Sequence, residues 1–92
     1  MINMLQKYKI IYERRVAKDL SKIPHPDMMR IFEKIETLAS GENHSLDIKK
    51  LKWYTDNIYR MRVWDYRIIF EYQNDVLVIL VLQIEHRKSV YM

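Results

Sequence analysis

The stretch NIYRMRVWDYRIIFEYQNDVLVILVLQIE, residues 57–85, decides the fold. Its apolar positions recur every second residue, which is the period of a half-buried strand. It reads as three antiparallel strands, Ile58 to Val63, Tyr66 to Gln73 and Val76 to Glu85, with turns at Trp64-Asp65 and Asn74-Asp75. Neither turn is of the favoured Asn-Gly kind, so loop length stays open. Two- and four-residue loops nonetheless share a parity that sets Arg62 opposite Arg67. One face then collects Tyr59, Met61, Val63, Tyr66, Ile68, Phe70, Tyr72, Leu77, Ile79 and Val81, a surface to be covered by helices. The other collects Arg60, Arg62 and Arg67 with Ile69, Val78, Leu80 and Leu82.

Upstream, Tyr8 to Tyr12 is a short β-branched and aromatic run that reads as a first strand. Val16, Leu20 and Ile23 follow at helical spacing, so Glu13 to Ile23 reads as a helix ended by Pro24. In the next helix Pro26 suits the first turn, Asp27 the positive end of the dipole, and Gly41 the stop. Met28, Ile31, Phe32, Ile35, Leu38 and Ala39 form its apolar stripe. Glu42 to Asn57 is polar, with a short extended piece around Ile48 to Leu51. The expected architecture is α+β: two N-terminal helices on one face of a mainly antiparallel four-stranded sheet, a single domain over residues 1–92.

Ninety-two residues without cysteine exclude disulfides, thiol catalysis and Cys-based zinc sites, and fit a reducing, cytoplasmic setting. No apolar run approaches the ~18–20 residues of a membrane span, and no signal pattern opens the chain. No membrane association is expected. Residues 1–48 carry 8 basic and 7 acidic side chains, residues 49–67 carry 6 and 2, and residues 68–92 carry 2 and 3. The whole net charge of +4 therefore belongs to the middle segment. There, Lys49, Lys50, Lys52, Arg60, Arg62 and Arg67 interleave with Trp53, Tyr54, Tyr59, Trp64 and Tyr66. Single-stranded nucleic acid asks for such a pattern, because phosphates need cations and unstacked bases need flat partners. A solvated basic edge over core aromatics has the same composition.

Two arginines directly opposite across a strand pair repel, and Arg60 adds a third charge on the same face. Planar guanidinium forks match phosphate oxygens, so the cluster suggests a phosphate site, unless Glu71 and Asp65 pair with it. With Gln83 expected near Tyr66, the segment Ile84 to Tyr91 leaves the sheet beside Arg62 and Arg67, bringing His86, Arg87, Lys88 and Tyr91. Arginine is a poor base. His86, with an ordinary pKa near ~6.5, is the natural proton acceptor among these residues, while a structural or solvated histidine is the plainer reading. His25 and His44 lack such neighbours and read as surface residues.

The segments KKLKWY (49–54), NIYRMRVWDYRIIFEY (57–72) and VLVILVLQIEHRKSVY (76–91), preceded by a helix pair, resemble the RelE/ParE superfamily of toxin-antitoxin toxins, in particular its RelE-like ribonuclease branch. The resemblance implies a small mRNA endonuclease, acting on messages in the ribosomal A site and held inactive by a cognate antitoxin. It implies attack of the ribose 2′-OH on the adjacent phosphate, leaving a 2′,3′-cyclic phosphate and a 5′-OH, with no metal and no cofactor. The family's strand cations fall on Arg60, Arg62 and Arg67, its tail cation on Arg87, its terminal tyrosine on Tyr91, and the tail histidine of related toxins on His86. Lys49, Lys50, Lys52, Trp53, Trp64 and Lys88 are then the expected RNA-binding residues. Two departures stand out: arginines replace lysines on the first catalytic strand, and family glycines are here Trp53 and Trp64. The competing expectations are a ParE-like toxin that poisons DNA gyrase without cleaving RNA, and an inactive member that only binds its partner.

Overall fold

The computed structural model describes residues 7–51 and 57–86. Seven elements follow one another: β1 (Lys9–Tyr12), α1 (Arg14–Leu20), α2 (His25–Ala39), β2 (Asp47–Lys50), β3 (Ile58–Val63), β4 (Tyr66–Gln73) and β5 (Val78–His86). The strands form one sheet in the order β1-β5-β4-β3-β2. β2 to β5 pair antiparallel, and β1 runs parallel to β5, with Ile10 beside Ile79.

The expected mainly antiparallel four-stranded sheet is thus corrected to five strands of mixed direction, with the helices between β1 and β2, after a first strand as the sequence suggests. A parallel partner cannot be joined by a tight turn, so α1 and α2 are the connection that carries the chain away from β1. Nothing local in Lys9–Tyr12 marks its partner as a strand more than sixty residues away.

α1 is short and presents Val16 to the core, and Pro24, extended at φ −57° and ψ 144°, is the residue from which α2 starts. α2 buries Ile31, Ile35, Leu38 and Ala39, a stripe at spacings of three and four. Its stop is Gly41, whose φ of 88° is the left-handed conformation that glycine adopts cheaply. The helices cover one sheet face and pack on Met61, Val63, Ile68, Phe70, Ile79, Val81 and Ile84. Phe70 is fully buried, its ring 5.9 Å from Tyr59 and 5.3 Å from Tyr72.

Two features of the last hairpin set the site. Its turn spans residues 74–77 with Leu77 at φ 53°, so β5 starts at Val78 rather than Val76. Farther along, Phe70 faces Val81 but Ile69 faces Gln83, leaving Leu82 as the extra residue of a β-bulge. A one-residue insertion exchanges the two faces of everything beyond it. Ile84 and His86 therefore join the helix face, and Gln83 and Glu85 join the arginine face. The expected neighbour of Tyr66, Gln83, is replaced by His86. β1 reaches only to Val81, so among the described residues no strand lies beside the outer edge of β5 beyond it, and Asp19 of α1 accepts the Ile84 amide there at 3.0 Å.

Candidate nucleic-acid interface

Arg62 and Arg67 sit directly opposite one another on β3 and β4, as the parity of the sequence requires. Arg60 lies on the same face and is tied down: its Nη1 donates to the Asp47 carboxylate at 2.9 Å and to the Asp47 carbonyl at 3.2 Å. Arg67 has a looser partner in Glu85, 3.7 Å away, and the other Glu85 oxygen accepts from Gln83 Nε2. Arg62 is exposed and makes no ion pair among the described residues. The carboxylates facing the cluster are thus Asp47 and Glu85, not Glu71 and Asp65. Both come from strands whose register the local pattern does not reveal.

Lys49 stands opposite Arg60 on the arginine face, whereas Lys50 pairs with Tyr59 and belongs to the helix face. Both are exposed. Lys52, Trp53, Arg87, Lys88 and Tyr91 lie outside the described residues.

His86 occupies the opposite face from the arginines. Its ring meets Tyr66 edge-on, with centroids 5.0 Å apart. The Tyr66 hydroxyl donates to Asp27 Oδ2 of α2 at 2.8 Å. Burial above all, then the hydrogen bond to Asp27 and the negative charges of Asp27 and Asp65, push the Tyr66 hydroxyl up to about 12. A phenol held protonated in this way is a fixed wall for the imidazole beside it.

These groups open into a cleft of about 360 Å³ along the outer edge of β5. Arg15, Asp19, Lys22 and Ile23 line it from the α1 side, and Gln83, Glu85 and His86 from the strand. The rim of the sheet is therefore where the two faces meet: Glu85, which touches Arg67, and His86 both border one cavity. Arg15 and Lys22 are cations that the sequence reading missed. With Asp19 they recur at spacings of four and three, so their shared helix face was readable, but not its direction toward the end of β5. Arg15 is paired with Asp19 at 3.8 Å.

Trp64 takes the first position of the two-residue β3–β4 turn at φ 56° and is 61% exposed. A positive φ there and not at Asp65 is the pattern of a II′ turn, which prefers glycine at that position. The Arg30 guanidinium of α2 lies 3.7 Å from the centroid of its ring.

The whole is a helix pair on a five-stranded mixed sheet, with an arginine cluster at the end of its central hairpin. Residues 10–91 match the family of ParE toxins of type II toxin-antitoxin systems, and the chain belongs to that family. It is RelE-like within it. Toxin RelE3 of Methanocaldococcus jannaschii is 36% identical over 86 residues, covering 90% of this chain and 94% of that protein. The toxin of the RelB-RelE antitoxin-toxin complex from Methanococcus jannaschii superposes with a TM-score of 0.73 at 37% identity, over 88% of this chain and 94% of its own. The archaeal RelE-RelB complex from Pyrococcus horikoshii OT3 gives 0.70 at 27% identity, over 88% and 96%.

Proposed function

We propose that the chain is an mRNA endonuclease that inhibits translation by cutting messages in the ribosomal A site, and that an antitoxin of the RelB kind restrains it. The observation that carries this reading is the Arg62–Arg67 cross-strand pair, placed at the end of the sheet where β5 ends at His86 and, among the described residues, has no strand beside it. Repelling guanidinium groups cost stability, and their forks match a phosphodiester.

The chemistry follows from the groups at the rim. Arg62 and Arg67 hold the non-bridging oxygens of the scissile phosphate and offset the charge that builds on them during attack. His86 takes the proton of the ribose 2′-OH. The O2′–P bond forms, the P–O5′ bond breaks, and O5′ takes up a proton, leaving a 2′,3′-cyclic phosphate and a 5′-OH. Tyr66, anchored by Asp27, holds the imidazole. Arg60, committed to Asp47, braces β2 against β3 and acts on the phosphate from farther away. Arg87 and Tyr91 remain candidates for the tail side of the same phosphate, and Lys49, Lys50, Lys52, Trp53, Trp64 and Lys88 for the flanking RNA. The substrate crosses the rim rather than lying on one face, since His86 and the arginines approach from opposite sides.

The test is induction of wild type, Arg67→Ala and His86→Gln in cells, with growth followed and transcript ends mapped by primer extension. Wild type is expected to arrest growth and cut within reading frames, and both variants to lose cutting. Full toxicity and unchanged cleavage in both variants would refute the assignment. One observation favours a second reading, a ParE-like toxin that acts on DNA gyrase: the sheet separates His86 from the arginines, and Arg60 and Arg67 each face a carboxylate. Linear DNA from supercoiled plasmid and gyrase, with transcripts left intact, would select it.

A further inference from the structure

Trp64 is difficult to explain by stability. Its backbone has a conformation that favours a residue without a Cβ, and it is the most exposed of the large apolar side chains among the described residues. Neither backbone preference nor burial calls for an indole there. The ring is nevertheless held, because the Arg30 guanidinium covers one face at 3.7 Å from the centroid. The other face is open, as the 61% exposure requires. Arg30 makes no ion pair among the described residues, so its charge is not spent on a carboxylate. Arg62 lies two residues before Trp64, roughly 7 Å of strand away but on the sheet face opposite α2 and Arg30, so a base on the indole and a phosphate on Arg62 would sit on either side of the β3–β4 turn.

We propose that Trp64, backed by Arg30, is a stacking platform for an unpaired nucleobase of the RNA next to the phosphate held by Arg62 and Arg67. This deepens the ribonuclease reading and rests on it. An aromatic face stacks on any base, and the guanidinium behind it adds attraction for the neighbouring phosphate, so the platform selects single strands without selecting sequence. Cations around the ring favour a nucleic acid over an apolar protein side chain as its occupant.

The full chain with Trp53→Phe, which keeps an aromatic ring at that candidate position and whose RNA affinity is measured beside that of wild type, leaves Trp64 as the sole indole, since there are two tryptophans in all. It is titrated with a short single-stranded 2′-O-methyl RNA, which lacks the attacking hydroxyl, while Trp64 emission is followed. Saturable quenching is expected. Trp64→Gly, which suits the turn and therefore folds, should weaken binding by about 5- to 150-fold, read by anisotropy of the labelled RNA. Arg30→Ala should weaken it in the same direction, and Trp64→Phe should keep most of it. Wild type that cuts transcripts, with Trp64→Gly binding as tightly as its parent, overturns the platform alone and leaves the indole as an anchor for a protein partner. Wild type that neither binds this RNA nor cuts transcripts overturns the ribonuclease reading and the platform together.

Discussion

Replacing Glu85 by glutamine should strengthen RNA binding while leaving the fold nearly unchanged. The carboxylate lies 3.7 Å from Arg67 Nε, and the two side chains are 29% and 37% exposed. Unit charges at that distance attract by about 1 kcal/mol at the dielectric of water and about 4–5 kcal/mol at an effective dielectric of ~20. Solvent reaches both groups, so the lower figure governs. Neutralising Glu85 then returns about 1 kcal/mol of attraction to an incoming phosphate, roughly fivefold in affinity. It also takes the net charge from +4 to +5. If Arg67 gains one full phosphate contact, the slope of log affinity against log salt steepens by about 0.7. The exposed pair itself contributes only ~0–1 kcal/mol to folding, so the melting temperature should fall by at most a few degrees. Anisotropy titrations with 2′-O-methyl RNA over a salt series measure affinity and slope together. Unchanged affinity and slope would refute the idea that Glu85 restrains Arg67. Stronger binding with cleavage abolished would move the proton acceptor from His86 to Glu85.

Three further perturbations probe the frame around the site. Tyr66→Phe removes the hydrogen bond to Asp27 and should cost about 1–2 kcal/mol, or roughly 5–15 °C in melting temperature. Because folding raises the Tyr66 pKa from 10.0 to about 12, its contribution is complete below pH 10 and is lost as pH rises toward 12. Denaturant melts of wild type and Tyr66→Phe should therefore converge over that interval; a constant gap would contradict the assignment. Phe70→Ala empties a fully buried site and should cost about 3–5 kcal/mol, seen as a much lower denaturation midpoint. Deleting Leu82 removes the bulge yet keeps Val81 opposite Phe70 and Gln83 opposite Ile69, so Ile84 and His86 should stay on the helix face and Glu85 on the arginine face. Amide exchange should then keep its protection from Gln83 onward, and protection lost there would show that Leu82 is not the extra residue of the bulge.

Much of this molecule can be read from local pattern. The stripe of α2 and the alternation of Ile58–Val63 and Tyr66–Gln73 leave one reading each, and their parity sets Arg62 opposite Arg67 even though it leaves open the length of the turn, which is two residues, Trp64-Asp65. The last strand is different. From Val76 to Leu82 every residue is apolar, so neither parity is marked, and the later start at Val78 and the extra residue at Leu82 leave no trace in the hydrophobic pattern. That silence misplaces His86 by a whole sheet face. The parallel pairing of β1, the Asp47 and Glu85 contacts and the α1 side of the cleft share another cause. Each joins segments far apart in the chain, and single-sequence periodicity carries no information about such pairings.

The place of β5 in the sheet has a consequence for how the toxin comes into being. It lies between β1 and β4, so the final described element to be synthesised is the one that unites the first strand with the rest. A nascent chain that has emerged only as far as Gln73 holds α2 and the β2-β3-β4 meander, but lacks Ile79, Val81 and Ile84 against its helices and has no seat for β1. Cooperative folding must therefore await the emergence of β5, and the same strand carries Glu85 and His86. A polypeptide that stops short of β5 lacks at once part of its core and the strand that carries Glu85 and His86.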